Sequence, residues 1–269
     1  MIRASGFGAA TITDHDFVSS EQVRLAMDAC GEMPFIPGIE LSLRHQDQVV
    51  HLLGYFIDPQ DAQLQAHILE VQAVDMDVTA RLIDYYQAQF GYDETLMSLT
   101  TDALHTFYSM QFVKSAAAKL FENDSAKSMA AFLSASDALG IRYSDFCPFP
   151  VRDAIGLIHA AGGIAVLAHP GGAQIKMMQT LGFLLHDEPL IKQYVDWELD
   201  GIETGTPVHT SKETAFYTAL CQKYGLLSTA GSDCHGDDPY LGPAAMGSFS
   251  FGMDNQYESL CAAHLKAVH

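Results

Sequence analysis

A chain of 269 residues, 48% hydrophobic and 17% charged, is long and apolar enough to bury one large core, or one core carrying an insertion. Its formal charge of −19 excludes a protein that coats long nucleic acid, since phosphate binding needs clustered Lys and Arg; a small phosphorylated ligand stays open, because divalent cations can supply the positive field. No apolar run approaches the roughly 18 residues that cross a bilayer, and the opening MIRASGFGAA is too short for a secretory signal, so a cytoplasmic protein with no membrane partner is expected.

In chain order, AATITDHD (residues 9–16) reads as a strand ending in acids and a histidine. A helix is predicted over 19–30, with Ser19 and Gln22 in a capping-box pattern and Gly31 as its stop. PFIPGIELS (34–42) and VVHLLGYFI (49–57) read as further strands. From 59 to 149 the rhythm changes to helices in succession, over 62–89, 101–122 and 125–139, expected to form a lid-like insertion. A helix over 152–161, the strands GIAVLAHP (163–170) and GIETG (201–205), and a helix over 210–224 opening on Thr210-x-x-Glu213 follow. The strand LLSTAGSDCH (226–235) and a helix over 255–269 close the chain. Alternating strands and helices predict a parallel sheet covered by helices, barrel or doubly wound. The domains expected are a core of residues 1–58 and 150–269 and an insertion of 59–149. The five cysteines form no C-x-x-C pair and are expected to be reduced thiols.

Metal-capable side chains gather where these strands end: Asp14, His15 and Asp16, then Glu40, His51, His169, and finally Asp233 and His235. Singly each has an ordinary reading, His51 as a core histidine or Asp14 and Asp16 as turn residues. Together, histidines and carboxylates from five strands at one face of a sheet suit Zn, Mn or Fe. Alternation along a strand places Asp233 and His235 on one face and Cys234 on the other, where it packs.

The ordered series TDHD (13–16), PGIELS (37–42), HLLGYFID (51–58), GGIAVLAHPGG (162–172), GIETGTPVHT (201–210) and GSDCHG (231–236) resembles the PHP (polymerase and histidinol phosphatase) superfamily, in its branch acting on nucleotide phosphates. The resemblance implies a distorted (β/α)7 TIM-like barrel with up to three divalent metal ions. Glu40 would bridge the first two ions, His51 and His169 would complete the second, Asp233 would bind the first, and His15 with His235 the third. Asp14 and Asp16 would act behind the ligands. His15, Glu40, His169 and His235 would carry catalysis on a small phosphorylated substrate, while His209, Lys114 and Arg142 would touch it.

The family's first strand, with an H-x-H pair and a following Asp or His ligand, has no match here: residues 1–10 hold no histidine, aspartate or glutamate. The expectation is an open seam beside the strand at 9–14, about one firmly held ion, and slow turnover. Two other readings stay open: a non-catalytic remnant serving as a binding or scaffold module, and a natural start some tens of residues upstream.

Overall fold

The computed structural model describes residues 8–99, 108–172, 176–234 and 256–267. The chain divides into two compact units, residues 1–66 with 149–269, and residues 67–148.

The first unit is built on a six-stranded sheet whose spatial order follows the chain: β1 (Ala10–Ile12), β2 (Phe35–His45), β3 (Gln48–Tyr55), β4 (Ile164–Leu167), β5 (Gly201–Gly205) and β6 (Leu227–Ala230). The pairs β1–β2, β4–β5 and β5–β6 are parallel, whereas β2–β3 and β3–β4 are antiparallel. The expected all-parallel sheet is therefore corrected to a mixed, curled one. The cause is local: β2 runs five residues past Glu40 and turns through Gln46, at φ 57°, straight into β3. A two-residue turn can join only antiparallel neighbours. Glu40 thus lies inside β2 rather than at its end. β6 stops at Ala230, so Asp233 lies beyond the strand and the alternation argument does not govern it or Cys234.

Helices cover this sheet. α1 (Ser20–Cys30) starts where Ser19 accepts the Gln22 N–H at 3.1 Å and stops at Gly31, at φ 66°. α5 (Val151–Ala160) packs on β2, β3 and β4, burying Ile155 and Ile158. α8 (Ser211–Tyr224) opens on the Thr210–Glu213 capping box, ends at left-handed Gly225 and packs on β5. α9 (Gln256–Ala267) packs on β4 and β6 and sends Leu260 into a core of Ile36, Leu53, Tyr55, Ile164 and Val166. The sequence reading did not foresee α6 (Lys176–Thr180) or α7 (Glu188–Asp196), the latter capped by Asp187.

α2 (Ala62–Phe90) begins in the first unit and its later turns belong to the second, with α3 (Tyr108–Leu120) and α4 (Ser125–Leu139). That unit centres on Tyr86, Tyr92 and Phe112, whose rings meet edge to face. Buried Asp75 accepts the Ser109 N–H at the start of α3. Residues 101–107 of the predicted helix lie outside the described residues. Among the described residues, no helix is long and apolar enough to cross a membrane.

Candidate metal centre

Strand register brings the first donors together. Ser42 pairs with His51 and Glu40 with Leu53, which sets Glu40 and His51 diagonally on one face of the hairpin. Leu52 pairs with Leu167, and the Ala168 N–H donates to the His51 carbonyl at 3.1 Å, so His169 emerges beside His51 just past β4. On the far side of Glu40 the chain after β1 rejoins the ladder. The Glu40 N–H donates to the Asp14 carbonyl at 3.0 Å, and the Asp16 N–H to the Glu40 carbonyl at 2.7 Å, which levels His15 with Glu40.

Glu40 Oε1 is the hub. It lies 2.8 Å from His51 Nδ1 and 3.1 Å from His169 Nε2, and those nitrogens are 3.3 Å apart. All three side chains are buried. Donor atoms of His15, Glu40 and His51 lie within 4.8 Å of one another, as do those of Glu40, His169 and Asp233, so Glu40 belongs to both groups. The Phe183 ring walls the site, 5.0 Å from His51.

A divalent ion suits these donors. Ligand atoms about 2.0–2.2 Å from an ion are about 2.8–3.6 Å from each other at octahedral to tetrahedral angles, which spans the spacing of Glu40, His51 and His169. Two imidazoles aimed at one carboxylate oxygen, with nitrogens 3.3 Å apart, would otherwise crowd two N–H groups together. Burial opposes ionisation of Glu40, but His15, His169 and His51 together hold its carboxyl well below the usual range. Burial lowers His51 to about 4 despite Glu40. Burial acts on His169 in the same sense, yet its bond to Glu40 and the charges of Glu40, Asp233 and Glu203 raise it to about 9. Glu40 thus favours a positive charge on His169, where a cation would stand.

Around the donors, Asp16 is buried and accepts the Ser42 N–H at 2.9 Å; burial pushes its carboxyl up to about 6. The Gln22 side-chain amide donates to Asp14. Asp16, His169 and Asp233 hold left-handed backbone, at φ 46°, 29° and 49°. Such a conformation costs a non-glycine residue about 1–3 kcal/mol and persists where surrounding contacts impose it.

Not every predicted residue falls in this cluster. His235 lies outside the described residues. Both ring nitrogens of His209 are engaged by backbone: Nε2 accepts the Gly171 N–H at 2.9 Å and Nδ1–H donates to the Thr204 carbonyl at 3.0 Å. Lys114 is exposed on α3, and Arg142 pairs with Asp145 at 3.3 Å. The sequence reading passed over Glu203. It sits in β5 at 4% exposure and accepts the His169 N–H at 3.0 Å. Burial raises its carboxyl to about 7. The available signal was an acid at the centre of the short strand GIETG, between Ile202 and Thr204.

No family model matches the chain. It is 26% identical over 234 residues, covering 83% of this chain and 75% of the relative, to a 3',5'-nucleoside bisphosphate phosphatase of Chromobacterium violaceum. It is 24% identical, covering 86% and 81%, to a 5'-3' exoribonuclease of Haemophilus influenzae. A crystal structure of a proposed metal-dependent phosphoesterase from Bifidobacterium adolescentis matches 97% of this chain and 87% of its own, with a TM-score of 0.71 at 20% identity. The fold is therefore one that this phosphoesterase shares. Together with the two sequence relatives, it bears out the resemblance to the PHP superfamily.

Proposed function

We propose that the chain is a metal-dependent phosphoesterase that hydrolyses small phosphate esters, either nucleotides or the ends of short oligonucleotides. The relatives act on such esters by their names, a nucleoside bisphosphate in one case and a ribonucleic acid end in the other. The single observation that carries the reading is one buried carboxylate oxygen within 2.8 and 3.1 Å of two imidazole nitrogens, one from β3 and one from the turn after β4. Divalent cations held there, Mn, Zn or Fe, supply charge to phosphoryl oxygens and acidify water. Glu40, His51 and His169 would hold one ion; Glu40 with Asp233, and His15 with His235, are the ligands proposed for others. Burial of Glu40, His51 and His169 strengthens each of these electrostatic contacts. Lys114 and Arg142 are the proposed cations for the ester's phosphate, on their charge alone.

The test is release of inorganic phosphate from a nucleoside 3',5'-bisphosphate and of mononucleotides from a 5'-phosphorylated oligonucleotide by the Mn-, Zn- or Fe-loaded chain. Release that chelation abolishes and Glu40→Gln removes is expected. A chain that loads metal firmly yet releases neither phosphate nor mononucleotides would overturn the enzyme and favour the binding-module reading.

A further inference from the structure

His169 is the one donor of the buried triad that no strand holds. It follows β4 with φ at 29°, and the Gly172 N–H closes a tight turn onto its carbonyl at 2.8 Å. Two side chains from one neighbouring stretch grip this turn. Glu203, in β5, accepts the His169 N–H with Oε2 at 3.0 Å. His209 accepts the Gly171 N–H with Nε2 at 2.9 Å while its Nδ1–H is anchored on the Thr204 carbonyl at 3.0 Å. Glu203 and Thr204 are adjacent, so both grips rest on the same strand.

The surroundings leave room for these grips and little else. A Cβ at Gly231 would lie 2.3 Å from Glu203 Oε1, and one at Gly171 would lie 2.9 Å from His209 Cδ2. A carboxylate at 4% exposure is costly to bury and is retained where its hydrogen bond matters. The His209 tautomer is fixed on both sides, since a backbone N–H must donate to Nε2 and a carbonyl must accept from Nδ1.

We propose that Glu203 is a positioning residue for His169, with His209 as the second grip, and that this clamp sets the imidazole Nε2 against Glu40 and His51 for metal binding. The clamp rests on the phosphoesterase reading for its purpose but not for its geometry. Glu203 acts through an acceptor oxygen on a backbone N–H, a task that a glutamine side chain can also perform and an alanine cannot.

Zinc affinity measured by chelator competition, with crystal structures of the metal-free proteins, tests this. Glu203→Ala is expected to bind zinc about 10–100-fold more weakly, as loss of a partner behind a ligand costs, with His169 out of the left-handed region and its ring displaced from Glu40. Glu203→Gln is expected to bind close to wild type with His169 in place. His209→Ala, which leaves Glu203 intact, is expected to shift affinity in the same direction. Glu203→Gln as weak as Glu203→Ala would show that charge, not the acceptor, matters, and would overturn the clamp. So would an unmoved His169 in Glu203→Ala. If Glu203→Ala does not fold, His209→Ala with unchanged affinity and unmoved His169 overturns it instead. Wild type that takes up no zinc sinks the phosphoesterase reading, while the metal-free structures still decide the clamp.

Discussion

The β2–β3 hairpin and the turn after β4 deliver donors to one point by different means. In the hairpin, eight consecutive residue pairs from Gly38↔Tyr55 to His45↔Gln48 fix the register, and Glu40 and His51 fall on a shared face as a consequence. Their positions are over-determined by backbone bonds that no single side chain supplies. The turn after β4 has no such ladder. His169 depends on a left-handed backbone and on Glu203 and His209, reaching in from β5 and the chain after it. A ligand in a ladder can be lost only by changing the ligand. A ligand in a clamped turn can be lost by changing a residue that never touches the metal.

The largest effect expected on the ladder side comes from Glu40→Gln. The hub would lose its charge while the hairpin kept its pairs. Zinc affinity should fall beyond the roughly 10–100-fold that an outer partner is worth, with amide-exchange protection along β2 and β3 unchanged. Retained affinity would show that Glu40 is not the shared ligand.

A pair of glycine substitutions separates the two means directly. A Cβ at Gly231 meets Glu203 Oε1 at 2.3 Å, whereas one at Gly54 in β3 meets the side chains of Ile39, Ile57 and Ile158 at 3.2 Å. Gly231→Ala should push Glu203 off the His169 N–H and weaken zinc binding about tenfold, the low end of an outer-partner loss. Gly54→Ala overpacks the core and should cost about 1–3 kcal/mol of stability, measured by urea unfolding, with zinc affinity unchanged. If Gly54→Ala weakens zinc binding as much as Gly231→Ala, the distinction between ladder and clamp is lost.

The same distinction explains what the sequence could show. Glu40 and His51 announced themselves as polar residues inside the otherwise apolar runs PGIELS and HLLGYFI, where β-periodicity alone predicts neighbours. The helix starts at Ser19 and Thr210 and the stops at Gly31 and Gly225 were equally local. The hairpin was not, because nothing in HQDQ (45–48) is a strong turn signal, and so the sheet was expected to be parallel. Glu203 and the anchoring of His209 were hidden for a different reason. A backbone N–H from a residue 34 positions away leaves no mark on sequence spacing, and an acid in GIETG reads as one more candidate among 33. α7 was hidden by Pro189, which reads as a loop residue until its place in the first helical turn is known.

The last effect is counted in protons, and it falls differently on the two histidines of the metal-free protein. His51, in the ladder, is lowered from 6.5 to about 4, with burial as the main cause. Between those pH values the unfolded chain takes a proton there and the folded chain does not, so stability falls as pH drops from about 6.5 to 4. His169, in the turn, is raised from 6.5 to about 9 because its bond to Glu40 and the nearby acids outweigh burial. Its contribution is full below about 6.5 and is lost as pH rises through 9, an effect of at most about 3 kcal/mol. Ring-proton NMR titration should therefore find one imidazole neutral down to about pH 4 and the other charged up to about pH 9. Glu40→Gln should return His169 toward 6.5 and flatten the alkaline limb of stability, measured by urea unfolding from pH 4 to 10. The acid limb should survive that substitution, because burial of His51 does not depend on Glu40. Two histidines titrating together near 6.5 in wild type would mean that turn and ladder place them in equivalent surroundings, and the comparison would fail at its finest level.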